Sequence, residues 1–378
     1  MLPHQPPTHL GVSTPGRVCL FGEHQDYLGL PVIAAAISLR VGIEGERRSD
    51  DRVTIRLPDI DSQTSFSIRQ TFPYELERDY FRSAINVLTR HGFSFTTGFA
   101  CEVRGNIPIN SGTSSSSALN VSWMNFLARM ADHPRELSPE ELGRFTYEAE
   151  VLEFKEPGGM MDQYATAFGG VLYLPFYPSV QPRPITAKLG IFVLGDSREP
   201  KDTKSILARV KNRVLECAKR LHEQFPEFSL HTVSIQDLER YLVNLSSEQR
   251  LLLRGTIRNR DITSAALSLL EQPRFDEKLF GAMLNEHQSI LRDALNISRE
   301  KINRMISASL SAGALGAKIN GSGGGGCMFA YAPKNAEQVA EAIEREGGST
   351  YIVSVAEGSR VEGKTQTPSS GETLEIMI

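Results

Sequence analysis

Four short stretches hold the residues whose types and spacing can do chemistry. The earliest, Gly16-Arg17-Val18-Cys19-Leu20-Phe21-Gly22-Glu23-His24-Gln25-Asp26-Tyr27, crowds polar side chains at the end of an apolar, strand-like run. Such crowding suits a sugar, because each hydroxyl sheds water on binding and must be paired again. Arg17 adds a fixed cation able to offset charge on a transferred phosphoryl group. A solvated turn with a structural ion pair would carry the same spacing.

The second stretch is Pro108-Ile109-Asn110-Ser111-Gly112-Thr113-Ser114-Ser115-Ser116-Ser117. Small residues let a backbone approach phosphate oxygens, and a following helix aims its first N–H groups at them. Serine hydroxyls add donors and a ligand for Mg2+. A flexible serine linker is the competing reading, but linkers do not open straight into an amphipathic helix. The third stretch, Pro157-Gly158-Gly159-Met160-Met161-Asp162-Gln163-Tyr164, sets an acid behind paired glycines, a setting for a catalytic carboxylate or for a capping aspartate. The fourth, Gly316-Ala317-Lys318-Ile319-Asn320-Gly321-Ser322-Gly323-Gly324-Gly325-Gly326-Cys327, contains a literal GxGxxG, yet a strand and not a helix follows it. That excludes a dinucleotide fingerprint. The Walker pattern and the protein-kinase HRD and DFG motifs are absent as well.

The elements that must position these stretches show in the periodicity. Val53, Ile55 and Leu57 alternate with polar residues, as do Phe66 and Ile68, which predicts two half-exposed strands. Tyr80 to Leu88 reads as a helix, and Phe99, Cys101 and Val103 as a strand. Leu119, Trp123, Phe126, Leu127 and Met130 recur at helical spacing, so the serine loop opens into an amphipathic helix. A second helix is expected over 138–155, a strand over 191–195, long helices from about 205 to 311, and a glycine-rich loop then strand over 318–332. The class is α+β, strands first and helices after, divided near residues 180–190.

At 378 residues the chain exceeds one comfortable core, so two domains are expected. The net charge of -4 is spread along the chain without the basic stripe a nucleic-acid surface needs. The amino terminus lacks the pattern of a signal peptide, and no apolar run near it could span a bilayer. Four scattered cysteines without a CxxC pair indicate a reduced, cytoplasmic protein with no zinc site.

Taken together and in this order, the stretches resemble the GHMP small-molecule kinase superfamily and, within it, the galactokinase-like sugar kinases. The resemblance runs from Arg17 to Cys327 and implies the two-domain GHMP kinase fold, with residues 1–185 and 186–378 as its domains and the active site in the cleft between them. It implies an ATP-dependent kinase acting on a sugar, at the anomeric hydroxyl. Arg17 and Asp162 match the family's catalytic pair. Glu23, His24 and Asp26 match the sugar-binding residues, with Arg17 and Asp162 beside them and the Gly159 region closing over the sugar. Asn110, Ser111, Gly112, Thr113, Ser114, Ser115, Ser116 and Ser117 match the ATP triphosphate loop, and Ser116 and Glu150 the Mg2+ ligands. The loop from Gly321 to Gly326 would wall the site. The implied partners are ATP and a small-molecule sugar, with neither nucleic acid nor membrane.

Parts of the pattern point elsewhere. Gln25 and Leu28-Gly29-Leu30 depart from galactokinases, and Gly29 to Ile37 is similar to mevalonate kinases, as is Gly195-Asp196-Ser197 with Lys201-Asp202-Thr203-Lys204. Asp162 to Gly170 is similar to heptose kinases. A mevalonate-type kinase and a non-catalytic sensor of sugar and ATP are therefore the competing functions. The sensor could dispense with Arg17 or Asp162, whereas this chain keeps both.

Overall fold

The computed structural model describes residues 6–69, 74, 77–109, 111–200 and 203–362. Two long strands, β1 (His9–Phe21) and β2 (Val32–Arg47), form its spine. They pair antiparallel from His9 opposite Glu46 to Phe21 opposite Ile33, with register shifts between Pro15 and Arg17 and between Cys19 and Phe21. Such irregularities re-aim side chains, and the first falls just before Arg17. The shorter strands β3 (Arg52–Leu57), β4 (Ser62–Ser67) and β5 (Phe99–Gly105) extend the sheet in the order β1-β2-β5-β3-β4. Next come β6 (Val171–Leu174), paired with β2, and β7 (Arg183–Ile185), paired with β6.

A second, four-stranded sheet combines β8 (Phe192–Asp196), β9 (Gly316–Ile319), β10 (Cys327–Tyr331) and β11 (Ser349–Val353) in the order β11-β8-β10-β9. The last strand, β12 (Arg360–Glu362), returns to the first sheet and pairs with β1. The division expected at 185/186 falls between β7 and β8, but the first sheet takes strands from both ends of the chain. Strands do not all precede helices as the sequence suggested.

Helices α1 (Tyr80–Arg90), α2 (Ser115–Met130), α3 (Pro139–Tyr147) and α4 (Met161–Phe168) serve the first sheet. The amphipathic helix expected after the serine loop is buried on nearly every side: Asn120, Ser122 and Asn125 are as enclosed as Trp123 and Phe126. It runs through the middle of the fold, touching β1, β2, α1, α3 and α4. The helix expected over 138–155 is instead α3, capped by Ser138 with Glu141, followed by a wider π turn over Glu148–Leu152. π turns of this kind recur at functional sites.

Beyond β8 lie α5 (Thr203–Gln224), α6 (Ile235–Tyr241), α7 (Ser247–Leu270), α8 (Glu277–Asp293), α9 (Glu300–Ser311) and α10 (Ala336–Arg345). One core unites the halves. Val18, Leu20, Phe21, Ile33 and Ile37 pack with Phe192, Phe280, Phe329 and Tyr331. Cys19, Cys101, Cys217 and Cys327 are all buried, as small core fillers. Among the described residues no helix is long and apolar enough to cross a membrane.

Candidate active site

The four stretches meet around one cavity of about 190 Å³. Arg17, Glu23, His24, Asp26, Gly112, Ser114 to Ser117, Glu150, Gly159, Asp162, Gly321 and Ser322 all line it. The backbone knots them together. Arg17 N donates to Thr113 O at 3.1 Å, and Cys327 N to Ser111 O at 2.7 Å. Asn320 Nδ2 donates to Gly112 O at 2.8 Å, while Asn320 Oδ1 accepts from Cys19 N at 2.9 Å. Gly321 has φ +76°, and a Cβ there would sit 2.8 Å from Gly112 O, so only glycine lets the two loops close.

At the centre, Arg17 Nε and Nη2 both donate to Asp162 Oδ1, at 2.9 and 2.6 Å, and Nη1 donates to Gly112 O at 2.5 Å. The guanidinium is thus fixed by the carboxylate and the serine loop at once. Both bonds land on Oδ1, which leaves Oδ2 outside the contact with Arg17. Burial pulls the arginine's pKa down, but the charges of Asp162 and Glu23 outweigh it, so the cation is held more firmly than usual.

Glu23 and Asp26 stand in contrasting settings. Glu23 is buried against Lys318, whose Nζ donates to Glu23 Oε2 at 2.7 Å and to Cys19 O at 2.9 Å. Lys318 was read as part of a glycine-rich loop; it lies in β9, wholly enclosed, and is the residue that makes a carboxylate at the cavity floor tolerable. Asp26 accepts from Tyr27 N at 2.9 Å and from Met161 N at 3.2 Å. Burial first, and the charge of Asp162 second, push its pKa up to about 6. A Cβ on Gly159 would run into the Asp26 carboxylate, so Gly159 packs flat against it.

His24 lines the cavity and is also tied into the fold. Nδ1 faces Tyr27 Oη at 2.6 Å and Nε2 faces Ser322 O at 3.0 Å, so both nitrogens already have partners. Burial lowers its pKa to about 4, so the ring is neutral at physiological pH. A carbonyl can only accept, which puts the proton on Nε2 and makes Nδ1 the acceptor. His24 therefore ties the first loop to the last.

The serine loop divides in two. Gly112 and Ser114 have φ +89° and +62°, left-handed backbone of the kind that forms anion-binding concavities. Ser114 caps α2 without a side-chain bond to it, and its Oγ is buried without a partner among the described residues. The helix start therefore opens on the cavity with its first amides uncapped by a side chain, as an anion site requires. Ser115, Ser116 and Ser117 follow on the same wall. Thr113 instead turns inward towards Pro108 O. Ser111 bonds Asp196 at 2.8 Å and lines an adjoining space beside Ile109 and Gly326. Asn110 lies outside the described residues.

Glu150 sits on the π turn, fully buried. Burial raises its pKa, while hydrogen bonds from Gln163, Ser117 and Ser116 oppose the rise. A carboxylate beside serine hydroxyls is an oxygen set for a hard cation. Among the described residues no three His, Cys, Asp or Glu form a metal cluster. Two protein oxygens suit Mg2+, which keeps waters and takes phosphate oxygens rather than a closed protein cage.

Comparison with known proteins fits this geometry. The descriptions GHMP kinases N terminal domain and GHMP kinases C terminal match residues 79–170 and 266–349, and the Galactokinase galactose-binding signature matches residues 3–46. A mevalonate kinase of Thermococcus sibiricus is 31% identical over 365 residues, 94% of this chain and 98% of that protein. The chain belongs to the GHMP kinases. It is thus an ATP-dependent phosphotransferase. A galactokinase of Haemophilus influenzae is 25% identical, covering 95% of this chain and 96% of that protein. Among solved structures, Lactococcus lactis galactokinase complexed with galactose superposes with TM-score 0.81 at 23% identity, over 93% of this chain and 95% of that one. The Methanococcus jannaschii mevalonate kinase gives 0.71 at 20%, over 92% and 98%. Both share the two-domain fold of this GHMP kinase.

Lys318, Asn320, Tyr27 and Gln163 were not singled out in the sequence. A lysine in a short apolar strand and an asparagine after it carry no periodic signal, and only three-dimensional closure brings them to Glu23 and Gly112.

Proposed function

We propose that the chain transfers the γ-phosphoryl group of ATP to a neutral monosaccharide, galactose first, at the anomeric hydroxyl. One observation carries the reading: the cations at the acceptor end are already engaged by carboxylates. Arg17 is held by Asp162 and Lys318 by Glu23. At the mouth, Arg78 is forked onto Glu156 at 3.0 and 3.1 Å. The cavity wall carries five carboxylates, Glu23, Asp26, Glu150, Glu156 and Asp162, against two arginines. A substrate carboxylate would meet like charge, whereas hydroxyls find acceptors.

Glu23 and Asp26 take sugar hydroxyls, and Gly159 flanks Asp26. Asp162 Oδ2 accepts the hydrogen bond of the attacking hydroxyl, and Arg17 fixes that carboxylate while facing the charge that develops on the phosphoryl group. Ser114 to Ser117 and the start of α2 receive the triphosphate. Mg2+ would be held by Glu150 and Ser116, and would neutralise phosphate charge when bound. The galactose-binding signature over residues 3–46 supports the acceptor class.

A second reading, phosphorylation of mevalonate, is favoured by the 31% identity to a mevalonate kinase. Incubation with Mg-ATP and either galactose or mevalonate, followed by 31P NMR of the product, separates the two. A sugar 1-phosphate supports the proposal, and phosphomevalonate alone overturns it.

A further inference from the structure

Gln163 follows the candidate catalytic Asp162 on α4 and, with Glu150, lines the same cavity. Its Nε2 donates to Glu150 Oε2 at 2.7 Å. Its Oε1 is buried and has no hydrogen-bond partner among the described residues. The amide has no real choice of orientation, because a flip would set oxygen against the carboxylate. One end of the side chain therefore fixes Glu150, and the other is left as an acceptor in a buried wall. Buried polar atoms without partners are uncommon and call for an explanation. Here the missing partner must be a donor.

We infer that Gln163 is the positioning residue of the cation site: Nε2 orients Glu150, and Oε1 accepts a hydrogen bond from a water carried by the bound divalent cation. This rests on the reading of Glu150 as a cation ligand. Three features converge on it. Mg2+ keeps several waters in protein sites, and each presents hydrogens outward. Glu150 lies on a π turn, a local form frequent at functional sites, and Gln163 anchors its carboxylate there. Ligands of metals are commonly oriented by such partners, whose loss costs about 10–100-fold in metal affinity. Gln163 touches neither sugar nor phosphate in this arrangement.

The test uses the full chain with AMPPNP and Mn2+, the free metal being read by EPR. In Gln163→Met, which keeps the length and removes both polar ends, Mn2+ binding to the nucleotide complex should weaken about 10–100-fold. AMPPNP binding in EDTA should stay within about twofold of wild type, a split that a general packing defect would not produce. If Gln163→Met melts early, Gln163→Asn, which keeps the amide but falls short of Glu150, carries the same expectation. Wild-type Mn2+ affinity in a folded variant overturns the inference, as does an equal loss of metal-free AMPPNP binding. Glu150→Gln separates the two levels. If it weakens Mn2+ while Gln163→Met does not, only the role of Gln163 falls; if it leaves Mn2+ binding intact, the assignment of Glu150 falls with it.

Discussion

Asp26 is the residue where burial and function pull in opposite directions. Its ordinary value of 3.8 rises to about 6 because the pocket strips its water and Asp162 stands near. Folding favours the protonated acid, so this stability is full below pH 4 and is lost as pH rises through about 6. Asp26→Asn should equal wild type in urea denaturation at low pH. At pH 7 it should exceed wild type by roughly 2–3 kcal/mol. The same variant should lose about 10–100-fold in kcat/KM for the sugar, the worth of a hydrogen bond to a charged group. Wild-type kcat/KM should fall as pH drops below about 6, and that break should vanish in Asp26→Asn. Such a trade, stability given up to keep a charge ready in a closed site, is what a binding carboxylate requires. Glu23 is instead paired with Lys318, a partner not foreseen from the sequence.

At the scale of elements, the motifs were legible because their chemistry depends on residue type and order. The strand ending at Phe21, the serine loop entering α2, the Asp162 segment and the glycine loop were all found where spacing put them. What was not legible came from packing. A helix buried on nearly every side, such as α2, shows no single stripe, although its apolar period predicts one face. The π turn at Glu148–Leu152 adds one residue to a helix without any sequence punctuation. The resemblance offers His24 as a sugar ligand, and no sequence spacing shows that the fold brings Ser322 and Tyr27 to its two nitrogens. The loop before α4 gives a prediction at this scale. In Gly159→Ala the new methyl must push the Asp26 carboxylate aside. Displacing it breaks its bonds from Tyr27 N and Met161 N, so the stability loss should be about 1–3 kcal/mol. The sugar KM should rise at least about tenfold, with the KM for ATP unchanged; a normal sugar KM would remove Asp26 from the acceptor site.

Across the whole molecule, the two domains share one core. Phe21 and Ile33 from the first sheet share a core with Phe192, Phe280 and Phe329 from the second half, and β12 closes the first sheet from the far end of the chain. Cutting between residues 185 and 186 would expose that core on both pieces. A single unfolding transition in calorimetry is expected, with calorimetric and van't Hoff enthalpies in agreement, and residues 1–185 alone should not fold. Two separable transitions would contradict this. Length and the resemblance both imply the two domains that the fold shows, but nothing in the sequence marks the returning strand, since the three residues of β12 hold no pattern of their own.

The same union explains why the cleft is complete only when strands from both halves are in place. Glu23, Asp26 and Asp162 come from the first half, and Lys318, Asn320 and Ser322 from the second. The measurement that bears most directly on the central claim is ADP release with Mg-ATP across galactose, fucose, arabinose, a heptose, glucuronate, galacturonate and mevalonate. The account predicts turnover of a neutral sugar, little with either uronate, and a loss of at least about 10³-fold in Asp162→Asn, of the size seen for a group acting at the reacting atoms. Turnover of mevalonate alone, or sugar turnover that survives Asp162→Asn, would contradict it.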